Sequence, residues 1–461
     1  MNRWIQKYLD KASLLASPVQ IVVFYYLALI VVTSILLCLP FFKQPGASVP
    51  FIDTIFMAVS TVSVTGLTTF PIEQIYNNNG IILLEILFQI GGFGITMLST
   101  FIMVIAGRRI GLQQRRLIQT DMNQPHLSGN VRLVYSIFGI MLGIQAFFGV
   151  IFSIYLYIRD GFEHLATSIF DGFYIAISAL TNAGFDVTGK SIIPYSKDYV
   201  FLFLIMILIF IGGLGFPVII EILAWIKVTW FKPGHKKFRF SLFTKLAGSF
   251  AIGFFFIGTI LIFLSEHNGY FAHKAFIEKV MTAMFYSITT RNAGLQINQI
   301  SDFNTTTLLI FSMLMFIGAS PSSVGGGVRT TTIGILGLYL LSFIRGHKNV
   351  NIFNRRIHEN DIQKSVVVVN LSIFMCLIAV FILSITENHS LISLIVEVTS
   401  AFGTTGLSTG ITSSLSIIGK MVIIILMFVG RVGMLYMLIF FVSKKERDEK
   451  YRFPSEQIII G

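Results

Sequence analysis

Charged residues are scarce in this sequence. They make up 12% of its 461 residues, whereas about a quarter of the residues in ordinary soluble domains are charged. Apolar residues make up 54%, and the mean hydropathy is +0.79. This composition excludes an ordinary soluble protein and predicts a chain that lies in a lipid bilayer.

Acidic residues are the scarcer of the two charged kinds, with 22 Asp and Glu against 34 Lys and Arg. The net charge of +12 could suit a nucleic-acid binder, but most basic residues lie in a few loops between apolar runs. That distribution is the positive-inside pattern, which places basic loops in the cytoplasm. We therefore expect no nucleic-acid partner, and a multi-pass protein of a bacterial plasma membrane with both termini in the cytoplasm.

The chain has only two cysteines and no nucleotide-binding motif. Cys38 and Cys376 both lie in apolar runs, where cysteine packs as a small apolar side chain, so neither a disulfide nor a metal site is expected. The chain has no Walker A pattern and no dinucleotide fingerprint after a strand. We expect no enzyme, no ATP-driven pump and no nucleotide bound by this chain. The first residues do not resemble a cleavable signal peptide.

Four short segments share a small residue, a glycine and then a large apolar residue: Thr61–Leu67, Thr181–Phe185, Arg291–Leu295 and Thr404–Leu407. Their glycines are separated by 118 (184 − 66), 110 (294 − 184) and 112 (406 − 294) residues. Each turn follows an apolar stretch too short to cross a bilayer and precedes one that is long enough. This regular spacing predicts four repeats, each with a span, a short helix, a glycine turn and a second span.

The repeats are expected over residues 19–106, 133–230, 242–344 and 365–443. Basic segments 107–132, 231–241 and 345–364 separate them, and segments 1–18 and 444–461 flank them. Because each repeat crosses twice and the basic stretches fall on one side, the repeats are parallel rather than inverted. The predicted fold is an all-α integral membrane protein with eight transmembrane helices and four re-entrant pore helices in a pseudo-fourfold arrangement.

We expect the four turns to line one ion pathway. A single turn could be a helix break at a crowded crossing, but irregular backbone within a bilayer must be buried in protein or line a watery cavity. Carbonyl rings can replace the hydration shell of K⁺, and the turns contain no acidic side chain. The predicted K⁺ selectivity filter comprises Val62, Ser63, Val64, Thr65, Gly66, Thr181, Asn182, Ala183, Gly184, Thr290, Arg291, Asn292, Ala293, Gly294, Gly403, Thr404, Thr405 and Gly406. Asp53, Asp171 and Asp186 are expected to be outer-mouth or capping residues.

These turns, together with Gly91-Gly92-Phe93-Gly94, Gly212-Gly213-Leu214-Gly215 and Arg431, make the chain similar to the Trk/Ktr/HKT superfamily of potassium transport proteins, specifically its Ktr-type membrane subunit. The resemblance covers nearly the whole chain. It implies potassium uptake, often sodium-dependent, with K⁺ and in some members Na⁺ as the ions concerned. It also implies a homodimer in the membrane that rests on a cytosolic RCK-type (KtrA/KtrC-like) nucleotide-binding regulatory ring.

The third return segment, Thr305–Phe343, is too long for one crossing. Proline and consecutive glycines in its middle predict a helix break. The break is either a disordered kink or a flexible loop over 318–329 that obstructs the pore just inside the filter, and the resemblance implies the second, an intramembrane gate. Its expected gate residues are Gly318, Ser320, Pro321, Ser322, Ser323, Gly325, Gly326 and Gly327, together with Arg431.

Two arginines lie in apolar surroundings. Arg431 is near the middle of the last span, where a cation is costly unless it is paired or hydrated. It is either a structural anchor bonded to helix-end or loop carbonyls, or a positive barrier below the filter, which the resemblance favours. Arg291 is expected to point away from the axis, toward an acidic partner such as Glu278 or Glu397.

A second class of function stays open. A secondary transporter that works by alternating access on another cation or small substrate usually carries carboxylates within the membrane. The nearest candidates are Glu85 and Glu221, which are expected to lie near span ends. The basic segments Gly107–Arg132 and Lys227–Arg239 are candidate docking surfaces for a regulator, unless they serve only topology and contact with anionic lipid.

Overall fold

The computed structural model describes residues 18–94, 130–159, 162–185, 191–231, 238–441 and 456. Within these ranges the chain is mainly helical, with one two-stranded hairpin. Most of the predicted basic segment 107–132, the end of the first return segment and Asp186 lie outside the described residues.

The described helices can be grouped by the four repeats of the sequence. The first repeat contains α1 (Pro18–Cys38), α2 (Phe51–Ser63), the one-turn α3 (Ile72–Ile75) and α4 (Asn78–Phe93). The second contains α5 (Asn130–Arg159), α6 (Leu165–Thr181), α7 (Tyr199–Gly213) and α8 (Phe216–Phe231). The third contains α9 (Leu242–Ser265), α10 (Phe276–Thr289), α11 (Thr305–Phe316) and α12 (Thr330–Ile344). After the hairpin of β1 (Asn351–Ile352) and β2 (Arg355–Arg356), the fourth contains α13 (Glu359–Thr386), α14 (Leu391–Gly403), α15 (Ile417–Val432) and α16 (Met434–Phe441).

The first helix of each repeat, α1, α5, α9 or α13, has the length and composition of a membrane span. Their outward faces carry exposed apolar side chains such as Val31, Phe256 and Phe381, as expected for contact with lipid. Among the described helices, four meet the criteria for a span, or six if each bent pair counts as one. The eight-span arrangement therefore stays a prediction.

Two return segments differ from the expected single spans. α7 and α8 are bent by 108°, and α15 and α16 by 94°. The breaks fall at Gly215 and Gly433, whose φ values of +91° and +95° end a helix at little steric cost. The sequence does not predict these bends, because hydropathy reports apolar length but not backbone direction.

Glycines in the return segments allow close packing on the short helices. A Cβ atom added to Gly91 would lie 2.3 Å from the carbonyl oxygen of Val62, and one added to Gly212 would lie 2.2 Å from that of Leu180. No side chain fits in such a gap. These glycines therefore bring each return helix directly against the last turn of the short helix that precedes it.

The third and fourth repeats share a joint between the long helix and the return helix. Glu266, just after α9, accepts a hydrogen bond from the backbone nitrogen of Asn304 at the start of α11 (2.8 Å). Glu387, just after α13, accepts one from the backbone nitrogen of Ser416 at the start of α15 (3.0 Å). A carboxylate at a helix N-terminus satisfies free N–H groups and complements the helix dipole. Each joint fixes the distance between the outer and inner helices of its repeat.

Candidate ion pathway

The four predicted turns meet in a closed ring. A Cβ atom added to Gly66 would lie 2.5 Å from the carbonyl oxygen of Ala183, and one added to Gly184 would lie 2.7 Å from that of Ala293. The series continues from Gly294 to the oxygen of Thr405 (2.2 Å) and from Gly406 to the oxygen of Thr65 (2.2 Å). Each glycine thus touches the next turn in order, and the fourth turn touches the first.

The ring contains one equivalent carbonyl group from each turn. These groups belong to the residue just before each glycine: Thr65, Ala183, Ala293 and Thr405. Within the described part of the chain, none of these four oxygens accepts a hydrogen bond. All four residues are fully buried, and buried backbone acceptors are nearly always paired with protein or water. The ring therefore offers four unpaired oxygen atoms.

The backbone nitrogens of the same residues point the other way, into the short helices. Thr65, Ala183 and Thr405 donate to the carbonyl oxygens of Ser60, Ser178 and Ser400, at 2.9, 2.9 and 2.8 Å. Because the nitrogens are held behind the turns, the opposite carbonyls face the neighbouring turn. The short helices also end at the ring, so the negative ends of their dipoles point toward it.

Left-handed residues begin three of the turns. Val64, Asn182 and Thr404 end α2, α6 and α14 with φ values of 58°, 54° and 51°. The equivalent residue of the third turn, Asn292, has a more extended φ of 159°. The ring is therefore only approximately fourfold, as the unequal sequences predict.

Asn292 links the third turn to the fourth. Its side-chain nitrogen lies 2.8 Å from the carbonyl oxygen of Gly403 and 3.0 Å from that of Thr404. The hydroxyl of Thr405 donates in return to the carbonyl oxygen of Thr290 at 3.4 Å. Sequence reasoning places Asn292 in the filter but does not predict this bridge.

A cavity of about 450 Å³ opens on one side of the ring. It is lined by the four ring glycines and by residues that follow them, including Leu67, Phe185 and Gln296. We call this cavity the vestibule. It gives water-sized particles access to the ring from that side.

Some predicted filter residues lie outside the ring. Val62 is within the last turn of α2, with its carbonyl oxygen against Gly91. The hydroxyls of Thr181 and Thr290 donate back to carbonyl oxygens of their own helices, at 2.7 and 2.6 Å. Ser63 likewise bonds within its own turn, to Thr65 (2.6 Å). These side chains support the turns and do not face the neighbouring ones.

The predicted helix break in the third repeat is a compact, buried segment over residues 317–329, which we call the third-repeat loop. A disordered kink is excluded, since the loop is held by backbone hydrogen bonds. Ser320 donates to the carbonyl oxygen of Gly213 (3.0 Å), and Ser322 accepts from the nitrogen of Phe216 (2.8 Å). Gly327 donates to the carbonyl oxygen of Gly430 (3.2 Å). The loop is thus bonded to the breaks in the second and fourth return segments.

Bonds within the loop complete its shape. The hydroxyl of Ser323 donates to the carbonyl oxygen of Ser320 at 2.6 Å, and a bridge pairs Ile317 with Val328. A Cβ atom on Gly318 would lie 1.9 Å from the oxygen of Gly326. The two ends of the loop are therefore pressed together, which only glycine permits here.

The loop lies on the side of the ring opposite the vestibule. The backbone nitrogen of Gly326 donates to the hydroxyl of Thr404 (2.9 Å), and Gly325 touches the side chain of Asn292. Both partners precede their ring glycines in the chain, whereas the residues that line the vestibule follow them. The ring is therefore covered on this side by the third-repeat loop.

Two arginines hold adjacent carbonyl groups of the loop. Arg431 donates to the carbonyl oxygen of Val324, and Arg329 donates to that of Gly325. Arg431 also donates to Gly91 and, at 3.1 Å, to Gly92, both at the end of α4. These are the helix-end and loop carbonyls that the anchor alternative requires, while a barrier role is untested. Arg329 was not singled out by sequence analysis, because its position beside a glycine run resembles an ordinary basic loop.

Within the described ranges, Arg291 has no acidic partner. Arg291 donates to the backbone carbonyl oxygen of Ala251 in α9 at 2.6 Å. Glu278 pairs with Lys274 (2.9 Å), and Glu397 accepts hydrogen bonds from Ser408 and Thr412. The guanidinium of Arg291 is thus bonded to the outer helix of its own repeat. The helical carbonyl of Ala251 can accept this second hydrogen bond, while the Nε of Arg291 has no hydrogen-bond partner among the described residues.

A buried ion pair joins the first and fourth repeats. Lys420 in α15 lies 2.6 Å from Asp53 in α2, and their side chains are only 12% and 10% exposed. Asp53 lies in the first turn of α2 and is not among the residues that line the vestibule; its expected role as an outer-mouth or capping residue stays a prediction. Asp171 lies within the second turn of α6 and is not its cap. The signal for the pair was present in the sequence, as one acid and one base in apolar segments.

The fold and this ring define a predominantly helical membrane protein built around four backbone turns. The chain belongs to the TrkH family of cation transport proteins, whose family model matches residues 5–452. The resemblance to the Trk/Ktr superfamily is therefore confirmed.

Individual relatives cover almost the whole chain. It is 44% identical to the Ktr system potassium uptake protein D of Bacillus subtilis over 446 residues, which cover 96% of this chain and 97% of that protein. It is 33% identical to the potassium/sodium uptake protein NtpJ of Enterococcus hirae, with the same coverage. Its fold is similar to the crystal structure of the potassium transporter TrkH from Vibrio parahaemolyticus, with a TM-score of 0.71, 17% identity and coverage of 93% and 86% of the two chains.

Proposed function

We propose that this chain takes up potassium across the cell membrane through a channel-like pore, with the ring of turns as its selectivity filter. The observation that carries the proposal is the set of four unpaired, buried carbonyl oxygens at Thr65, Ala183, Ala293 and Thr405. A buried acceptor without a partner costs about 1–3 kcal/mol. A K⁺ ion that has shed its water satisfies such oxygens at once.

The choice of potassium rests on the carbonyl ligands and on the names of two relatives. Carbonyl oxygens without a fixed negative charge suit a monovalent cation better than Ca²⁺. Two relatives are named as potassium uptake and potassium/sodium uptake proteins. Dependence on sodium is part of the proposal, as the second of these names suggests.

The third-repeat loop is proposed as the gate. It covers the ring on the side away from the vestibule, and Arg329 and Arg431 hold it there. Opening requires these hydrogen bonds to break or to shift together with their partners. We propose that a separate cytosolic nucleotide-binding ring regulates the gate and that it binds a homodimer of this chain, as the family resemblance implies.

Reconstituted vesicles test the proposal. Purified full-length protein in liposomes should carry Rb⁺ down its gradient without a proton gradient, and should restore growth of a potassium-uptake-deficient bacterium at low K⁺. Each assay is run with and without Na⁺ to test sodium dependence. Flux that requires an imposed proton gradient would contradict the channel-like mechanism.

The two carboxylates named for the alternating-access alternative, Glu85 and Glu221, lie away from the ring. Glu221 accepts a hydrogen bond from the backbone nitrogen of Ser241 (3.0 Å) and so lies at the junction with the start of α9. Neither Glu221 nor Glu85 is a neighbour of the ring glycines or part of the vestibule lining. Coupling carboxylates near a central substrate site would be expected for that mechanism.

A further inference from the structure

A second cavity lies far from the ring, where α12, the β1–β2 hairpin and the start of α13 meet. Its volume is about 640 Å³. α12 starts at Thr330, next to the third-repeat loop, and ends at Ile344 beside this cavity. The cavity therefore lies at the end of α12 remote from the ring, on the side opposite the vestibule. We call it the hairpin cavity.

One edge of the hairpin cavity is apolar and open. Phe343 lines it and is 73% exposed, and the adjacent Ile344 is 79% exposed. Tyr339 and Val367, also part of the lining, are exposed as well. Large apolar side chains exposed at the end of a span face the acyl chains or the boundary of a bilayer.

The other edge is basic. His347, Lys348 and Arg356 line the cavity. Within the described chain, neither Lys348 nor Arg356 forms an ion pair with an acidic side chain. The backbone nitrogen of Ile357 donates to the carbonyl oxygen of Val350 (3.0 Å), which joins the segment that carries Lys348 to the end of the hairpin that carries Arg356. An anion that enters would meet cations already in place.

An acidic side chain, Glu359, also lines the cavity. A carboxylate accepts hydrogen bonds from hydroxyl groups but repels a phosphate. The best ligand therefore carries a phosphate at one point and hydroxyls at another. A glycerol headgroup joined through a phosphodiester has this chemistry.

We propose that the hairpin cavity binds the headgroup of an anionic phospholipid of the phosphatidylglycerol class. Lys348 and Arg356 hold the phosphodiester, Glu359 accepts hydrogen bonds from the glycerol hydroxyls, and the acyl chains leave past Phe343. Basic pockets at the membrane surface between transmembrane helices suit such headgroups. A soluble protein partner is the less suitable occupant, because the open edge is apolar and adjoins the spans.

Native mass spectrometry of the purified full-length protein in detergent tests the proposal. Added phosphatidylglycerol should bind more tightly than phosphatidylethanolamine. The double variant Lys348→Gln/Arg356→Gln should weaken phosphatidylglycerol binding about 30-fold, because each surface cation contributes about 1 kcal/mol to such binding and about 1.4 kcal/mol is tenfold. The charge-conserving variant Lys348→Arg/Arg356→Lys should retain most of the affinity.

The matched control is Arg345→Gln/Lys364→Gln, which removes two exposed basic residues from the same region that do not line the cavity. This control should change the affinity for phosphatidylglycerol less than threefold, because charges outside the cavity are screened and contribute little. Equal losses in both double variants would mean unspecific attraction and would overturn the site. Inorganic phosphate that binds as tightly as the lipid would overturn the lipid assignment. These outcomes do not depend on ion flux, so they stand apart from the proposed uptake function.

Discussion

Asn292 and Thr404 join two quarters of the ring through side chain as well as backbone. The side-chain nitrogen of Asn292 lies 3.0 Å from both the carbonyl oxygen and the hydroxyl of Thr404. The same hydroxyl accepts a hydrogen bond from the backbone nitrogen of Gly326. The hydroxyl of Thr404 therefore connects the third turn, the fourth turn and the third-repeat loop.

Substituting Asn292→Asp should reduce discrimination between K⁺ and Na⁺. The aspartate presents only acceptors to the carbonyl oxygens of Gly403 and Thr404, so the bridge is lost and the turns separate. With a loss of about 1–3 kcal/mol in a buried hydrogen bond, selectivity in competitive Rb⁺ flux should fall about tenfold. Asn268→Asp, on an exposed loop, is the control and should leave selectivity unchanged. Unaltered selectivity in folded Asn292→Asp would refute the role of the bridge.

Arg431 offers a direct comparison between anchor and barrier. In Arg431→Lys the charge remains, but a single ammonium cannot span Val324 and the end of α4 as a guanidinium does. If the residue is an anchor, Arg431→Lys should raise basal Rb⁺ flux as much as Arg431→Gln, because both release the loop. If it is a barrier, only Arg431→Gln should do so. Membrane insertion and oligomeric state, measured by fluorescence-detected size exclusion, are expected to stay normal in both.

Shortening the third-repeat loop by removing Ser322–Gly325 should increase cation flux in vesicles. The deletion takes away both carbonyls held by the arginines, at Val324 and Gly325. An increase of about tenfold would correspond to removal of about 1.4 kcal/mol of barrier. Unchanged or lower flux, in protein that elutes as a single folded species, would count against the gate.

A methyl group on the first ring glycine should damage the ring. In Gly66→Ala the new Cβ has to fit 2.5 Å from the oxygen of Ala183 at a φ of +90°, a backbone angle that costs about 1–2 kcal/mol without glycine. Flux should be largely lost and the thermal unfolding midpoint lowered. Gly253→Ala in α9, where no atom lies within 4 Å of the added carbon, should have neither effect. A Gly66→Ala protein with normal flux would show that the ring is not the pathway.

Removing one partner of the Asp53–Lys420 ion pair should lower the stability of the protein more than removing both partners. Removing one charge leaves the other buried and unpaired, at a cost of about 3–5 kcal/mol. Asp53→Asn and Lys420→Gln should each lower the unfolding midpoint in detergent, while the double variant recovers part of the loss. Additive effects in the double variant would show that the two charges act independently. The control is Lys279→Gln in α10, because Lys279 is half-buried and forms no ion pair among the described residues.

The positions of the four turns could be predicted from sequence, because glycine spacing and apolar segment length are local, one-dimensional signals. The ring glycines and the helix break near Pro321 lie where these signals indicate. Membership of the TrkH family was equally accessible, since the motifs at residues 91–94 and 212–215 accompany the turns.

Partners across the ring could not be predicted in this way. Arg291 was expected to bond to an acid because a buried cation needs compensation, but the structure uses the carbonyl oxygen of Ala251, which has no sequence signature. The breaks at Gly215 and Gly433 were missed because an apolar run of suitable length is compatible with either a straight or a bent path. The bridge of Asn292 depends on residues more than a hundred positions away.

The contact between Gly406 and the first turn has a consequence for how the protein assembles. Three neighbouring pairs of ring glycines are separated by 110 to 118 residues, but Gly66 and Gly406 are 340 residues apart (406 − 66). For a flexible chain, threefold longer separation adds about 1 kcal/mol of closure entropy. Of the four contacts in the ring, the one between the first and fourth repeats therefore has the largest closure entropy, and the buried pair of Asp53 and Lys420 lies at the same joint.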